Sequence, residues 1–155
     1  MHGHMHGNAH SDSTDHLPRR PFTQSWADTF RTVINRDAEY RAVASGWRWP
    51  LALVLERAPD LGYPDDIAIR LELDAGDCHE ARIVAPADAD APYVLRGPYP
   101  VWKRIVRGEL DAIAAVVKQE LALEGRLHTL VMNARWAKAL VACARQVPTE
   151  FPDEA

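Results

Sequence analysis

The eight residues IAIRLELD at positions 67 to 74 alternate: Ile67, Ile69, Leu71 and Leu73 fall on one side of an extended chain, and Arg70, Glu72 and Asp74 on the other. As a helix the same run would scatter its apolar residues around the circumference, so the stretch predicts a strand with one dry and one wet face. Such a strand needs neighbours in a sheet and a layer over its apolar side. The first neighbour follows at once. After the turn residues Ala75, Gly76 and Asp77, CHEARIVA (78–85) is close enough to complete a hairpin. LALVLE (51–56) and APYVLRG (91–97) read as two further strands. ELALE (120–124) reads as a fifth, with Leu121 and Leu123 on a shared face and Gly125 at its end.

The covering layer is written in a different period. Trp26, Phe30, Val33, Tyr40, Ala44 and Trp47 recur at spacings of three, four and seven, which places them on one helical stripe. Thr23 suits the N-cap and Gly46 the C-terminal stop, while Asn35 is suited to cap a second short helix after a break near INRD. PVWKRIVRGEL (100–110) places Val101, Trp102, Ile105 and Val106 inward and Lys103, Arg104 and Arg107 outward. That basic face fits a solvated surface, with an anionic head group as the alternative. DAIAAVVK (111–118) is a second short helix, and residues 126 to 145 read as one long terminal helix. Its apolar residues form two opposed groups: Leu127, Leu130, Ala134 and Val141, then Met132, Trp136, Leu140 and Cys143. A surface helix needs one apolar stripe, so the second calls for a partner, a ligand or more core.

At 155 residues the chain is long enough for one domain with a real core. Eighteen basic against 22 acidic side chains, a net charge of -4, lack the footprint of a nucleic-acid binder. Two cysteines, Cys78 and Cys143, make no disulfide framework, and no leader or membrane-length apolar run is visible, so a reduced, cytoplasmic setting is expected. Residues 1 to 20 hold five of the seven histidines with little to bury. They are expected to form a disordered tail that captures metal only weakly, leaving 21 to 150 as the folded domain.

Reactive chemistry is sparse. No phosphate loop, GxSxG, HExxH or CxxC occurs. Cys78 and His79 are adjacent in a strand and must face opposite ways, which prevents a local nucleophile and base. His128 stands alone, and Asp65 and Asp66 lie in turn-forming sequence. No catalytic residue, cofactor or metal site is expected.

The stretch ADAPYVLRGPYPVWKRIVRGELDAIAAVVKQELALEGRLHTLV, with its step Gly108, Glu109, Leu110, Asp111 and its strand QELALEG, resembles the second half of the sterol carrier protein 2 domain. Trp26, Ile34, Asn35, Glu39, Tyr40, Ala44 and Trp47 are similar to the opening helix of its prokaryotic members, so the resemblance spans about residues 22 to 147. Gln119 stands where that family usually has a glycine, and Arg126 where it commonly has an aspartate. The resemblance implies an α+β fold: a five-stranded, mainly antiparallel sheet with helices packed on one face, enclosing a hydrophobic tunnel for fatty acyl chains, sterols or other lipids. By the same resemblance, Trp102, Ile105, Val106 and Leu110 would line the tunnel from one side, with Ile113 and Val116 beside them. Leu121 and Leu123 would contribute from the last strand, and Met132, Trp136 and Leu140 from the terminal helix. The implied function is lipid binding and transfer without catalysis. The alternative is an accessory scaffold that presents isoprenoid quinone or other lipid intermediates to partner enzymes. Partners would be a lipid ligand and, transiently, a membrane; monomer and homodimer both remain open.

Overall fold

The computed structural model describes residues 17 to 154. Five strands, β1 (Leu51–Leu55), β2 (Ile67–Asp74), β3 (Asp77–Val84), β4 (Tyr93–Gly97) and β5 (Ala122–Glu124), form one sheet in the order β3-β2-β1-β4-β5. Only the β1–β4 pairing is parallel. The alternating run is a strand over its full length, and Ile69, Leu71 and Leu73 are buried beneath the helices. Asp74 pairs with Asp77 across a two-residue turn in which Ala75 and Gly76 both have positive φ, 51° and 105°, the geometry whose twist matches the flanking strands. The opposite face, expected to be wet, is partly covered. Segment 86–91 crosses it, so Ala52, Val54, Ala68 and Ala89 form a small second cluster, and the Arg70 guanidinium donates to the Ala89 carbonyl at 2.7 Å.

Six helices accompany the sheet among the described residues: α1 (Gln24–Arg36), α2 (Ala38–Val43), α3 (Tyr99–Val106), α4 (Ala112–Val117), α5 (Leu127–Met132) and α6 (Ala134–Gln146). Thr23 caps α1 as its sequence predicts. The break falls at Asp37, whose carboxylate accepts from the Tyr40 N–H at 2.8 Å and so caps α2 in place of Asn35. Asn35 turns to the sheet instead. Its amide accepts from the Cys78 N–H at 2.7 Å and donates to the Cys78 carbonyl at 3.0 Å. Gln24 treats Ile83 and Ala81 in the same way, and Arg31 donates to the carbonyls of Cys78 and His79. One polar face of α1 therefore satisfies the open edge of β3, which would otherwise be a template for pairing with another chain.

The expected single terminal helix is two. At Asn133 the backbone departs from the helix (φ −111°, ψ 34°), while the Asn133 side chain donates to the Thr129 carbonyl at 2.8 Å. A single helical wheel over 126 to 145 therefore fails: Met132 and Trp136 do not share a stripe. Two residues of the stretch 1–20, Arg19 and Arg20, contact the folded body. Arg19 forms a parallel bridge with Thr149, and Arg20 donates to the Leu61 carbonyl and stacks over Tyr63 at 5.2 Å. The histidines at 2, 4, 6, 10 and 16 lie outside the described residues.

Gly97 has a packing reason. A Cβ there would collide with Leu121 Cδ2, so the missing side chain lets the chain entering β5 close against β4. The two departures from the family pattern are visible as local energetics. Gln119 adopts φ 63°, the left-handed conformation that a glycine enters freely. Arg126 occupies the N-cap of α5 without a side-chain hydrogen bond, where an aspartate would accept one. Gln119→Gly should remove strain and raise stability by about 0.5–1 kcal/mol, and Arg126→Asp should add about 1 kcal/mol by capping. Urea unfolding of each variant checks this; a fall in midpoint for both would contradict the assigned backbone at these turns.

Candidate functional site

Between the inner face of the sheet and the helices lies a void of about 70 Å³. Leu51, Leu53, Ile69 and Leu95 form its floor. Trp26 and Phe30 of α1, Trp102, Ile105 and Val106 of α3, and Ile113 of α4 form its sides. Leu130 of α5 and Trp136, Ala137, Leu140 and Val141 of α6 close the far wall. Of the lining residues, Lys103 alone carries a charge.

Of the residues expected to line a tunnel, the fold brings Trp102, Ile105, Val106, Ile113, Trp136 and Leu140 together around this void. The others lie elsewhere. Leu110 and Val116 are buried in the main core, Leu121 packs under Gly97, and Leu123 is half-buried against the core. Met132 is 70% exposed, because the break at Asn133 turns the end of α5 to solvent. The alternation of residues 67 to 74 assigns Ile69 to an inner face, whereas for Leu51, Leu53 and Leu95 the sequence shows only that they lie in strands. Phe22 and Phe151 also line the void, from irregular segments on either side of the periodic sequence, and no pattern announces such residues.

The wall near α6 is set by an aromatic cluster. Trp136, 2% exposed, stacks on Trp47 at a centroid distance of 3.7 Å and an interplanar angle of 8°. Its indole N–H donates to the Tyr40 hydroxyl at 3.0 Å. Trp47 in turn packs against Tyr93 at 4.9 Å and donates its indole N–H to the Trp49 carbonyl at 2.8 Å. Burial pushes the Tyr40 hydroxyl up to about 12, so it stays a neutral phenol whose oxygen accepts from Trp136.

The end of the void near Phe22 and Phe151 has different chemistry. Phe22, at φ 60°, contacts Trp102 with ring centroids 5.7 Å apart. Beside it the segment 148–154 places Phe151 on the void. The Tyr99 hydroxyl donates to Asp153 at 2.6 Å, and the Lys103 ammonium contacts Asp153 at 2.7 Å and Glu154 at 2.6 Å.

Among the described residues, no cysteine or histidine lines this void. Cys78 faces inward and His79 outward, as adjacent strand residues must. Burial pushes the Cys78 thiol up to about 11 and the Cys143 thiol up to about 12, which suppresses the thiolate that a nucleophile requires. His128 is exposed on α5. Among the described residues no group of three or more His, Cys, Asp or Glu side chains is placed to hold a metal ion, and no helix is long and apolar enough to cross a membrane.

No protein-family profile matches the chain, and no curated protein matches it. Solved structures do. A crystal structure of sterol carrier protein 2 aligns at 32% identity and a TM-score of 0.78, over 83% of this chain and 99% of its own. The solution structure of a conserved hypothetical protein from Thermus thermophilus aligns at 30% identity and a TM-score of 0.79, over 88% and 96%. Sterol carrier protein 2 from Yarrowia lipolytica shares the fold at 15% identity and a TM-score of 0.51, over 77% of this chain and 88% of that one.

Trp136 is a packed wall residue, so Trp136→Ala should cost about 3–5 kcal/mol, with the stack on Trp47 and the bond to Tyr40 both lost. Chemical denaturation checks it. A loss below about 1 kcal/mol would mean that the aromatic cluster does not form.

Proposed function

The chain belongs to the sterol carrier protein 2 family, and from that premise we propose that it binds a lipid with a long apolar chain in the void beneath α3 and α6 and transfers it without catalysing a reaction on it. The observation that carries this reading is the void itself. It is lined by aliphatic and aromatic side chains from the sheet and from α1, α3, α4, α5 and α6, with one charged residue, Lys103. An alkyl chain gains about 0.8 kcal/mol for each CH2 it buries, so a dozen carbons supply about 10 kcal/mol before the costs of ordering, enough for useful affinity without a reactive group.

The size of the void adds a condition. Engineered apolar cavities of about 150 Å³ hold benzene, and this one measures about 70 Å³. A long chain therefore enters only if lining residues move. Phe22 and Phe151 line the void from irregular segments rather than from a strand or helix, so their displacement would leave the sheet in place.

Delivery of a lipid also requires contact with a membrane. Leu127, Val131 and Met132 of α5 are exposed, with Arg126 and Arg135 exposed beside them in sequence. An apolar helix edge flanked by cations suits brief contact with an anionic bilayer.

Titration of the protein with a fluorescent long-chain fatty acid, followed through tryptophan quenching, should give saturable binding. Ala137→Leu places three more carbons in the void and should weaken that binding by about tenfold or more while the fold persists. Absence of saturable binding with acyl, sterol and quinone probes alike would overturn the proposal. In vesicle-to-vesicle transfer, Val131→Asp combined with Met132→Asp should slow exchange several-fold and leave affinity in solution unchanged; an unaltered transfer rate would remove α5 as the membrane-contacting edge.

A further inference from the structure

We propose that Tyr99, Lys103 and Arg107 form a docking point for the anionic head group of a long-chain amphiphile, and that the segment 148–154 occupies this point and the mouth of the void when no ligand is bound. The inference rests on the lipid-binding reading above and deepens it by naming the head-group chemistry.

The three residues recur every fourth position along α3 and its C-cap, which places them on one side of the helix. Tyr99 and Lys103 line the void. Arg104, the other basic residue of this stretch, turns away to pair with Glu120 at 3.1 Å. Lys103 is unusual among lysines: its side chain is only 16% exposed, with the stem on the apolar lining and the ammonium at the rim. A cation and a phenol hydroxyl at the edge of an apolar slot are the groups that recognise a carboxylate whose alkyl chain runs inward.

The residues of segment 148–154 supply an imitation of such a ligand. Phe151 provides the apolar end: it lines the void and lies 5.5 Å from Lys103 Nζ and 5.2 Å from the Arg107 guanidinium. Asp153 and Glu154 provide the acidic end. Asp153 accepts from Tyr99 at 2.6 Å and from Lys103 at 2.7 Å, while Glu154 pairs with Lys103 at 2.6 Å and with Arg107 at 3.0 Å. The electrostatics match the geometry. The hydrogen bond from Lys103, then that from Tyr99, holds Asp153 below the usual carboxylate range, and the bonds to Asp153 and Glu154 hold Lys103 above the usual ammonium range.

The attachment of the segment is local. Upstream it is held by the bridge between Arg19 and Thr149, with the Glu150 N–H on the Arg19 carbonyl at 2.8 Å and the Trp26 indole on the Thr149 hydroxyl at 2.9 Å. Beyond Phe151 the short turn 152–154 is tied to the body through the side chains of Asp153 and Glu154. An incoming acid that offers a carboxylate to Lys103 and Tyr99 and an alkyl chain to the void replaces those contacts in kind. Its binding and the closure of the segment are then mutually exclusive.

The test compares hexadecanoate with hexadecanol, two probes of one chain length that differ in head-group charge, by calorimetric titration of the full chain and two variants. The unaltered protein should bind hexadecanoate about tenfold tighter than hexadecanol. Lys103→Gln combined with Arg107→Gln should abolish that preference, with an unchanged far-ultraviolet circular dichroism spectrum reporting an intact fold. Phe151→Ser combined with Asp153→Asn and Glu154→Gln should tighten hexadecanoate binding by about fivefold or more, because the internal competitor is weakened. Acetate at the same concentration should not compete. Equal affinity for acid and alcohol in the unaltered protein would overturn the docking point while leaving the lipid reading intact. Unchanged or weaker hexadecanoate binding in the Phe151 variant would overturn the competitor role, and competition by acetate would reduce the point to a simple anion site. Failure of both probes to bind would remove the lipid reading and this inference together.

Discussion

The stack of Trp136 on Trp47, anchored by the Tyr40 hydroxyl, fixes how far the terminal helix stands from the sheet. Tyr40 lies on α2, Trp47 just before β1, and Trp136 on α6, so one contact ties together segments 96 residues apart in the chain. Two indoles in parallel contact act as a rigid spacer. Each buries a large apolar area, and the hydrogen bond satisfies the polar end of one of them inside the core. With that corner fixed, Ala137, Leu140 and Val141 on the next turns of α6 face a gap that they are too small to fill. The void thus follows from a large residue holding the helix out and small residues following it, which is a different solution from the close-packed core that the same composition would otherwise favour.

The opposite end of the void is built from weaker material. Phe22 holds a positive φ, and the segment from Pro148 onward is secured by an isolated bridge and by side-chain ion pairs. The carboxylates of these pairs, 38% exposed at Asp153 and 41% at Glu154, are open to solvent, and ion pairs screened in this way contribute little to stability. Regions with few backbone bonds to the core open at low cost relative to the strands and helices. A rigid aromatic corner and an end held by an isolated bridge and ion pairs suit the proposed role, in which the site keeps its shape and still admits a chain longer than the resting void.

Much of the architecture was legible because period and face are local properties. The alternation of residues 67 to 74 set one strand and its buried side, and the turn after it set the hairpin. The stripe from Trp26 to Trp47 identified the buried side of α1 and α2. What sequence reasoning missed depends on single residues acting at a distance. Asn133 ends α5 and rotates Met132 to the surface, and nothing in the apolar spacing marks that asparagine as a break. Asn35 suits a cap equally well by its sequence position; only the nearness of β3 makes it an edge clamp. Leu110, Val116, Leu121 and Leu123 are inward-facing, yet facing inward does not distinguish a residue on a void from one in filled core. Phe151 carries no pattern at all, because it reaches the void from a turn that pairs with the opposite end of the folded chain.

The central claim is that an apolar chain enters the space between sheet and helices, and methyl-resolved NMR of the protein during titration with a long-chain fatty acid tests it most directly. The account predicts saturable shifts concentrated on Ile105, Ile113, Leu130, Leu140 and Val141, whose methyl groups line the void, with Val117 and Met132 on the surface little affected. Shifts confined to Val117, Leu127, Val131 and Met132, with the lining methyls unmoved at saturation, would place the ligand on the outside of the molecule and contradict it.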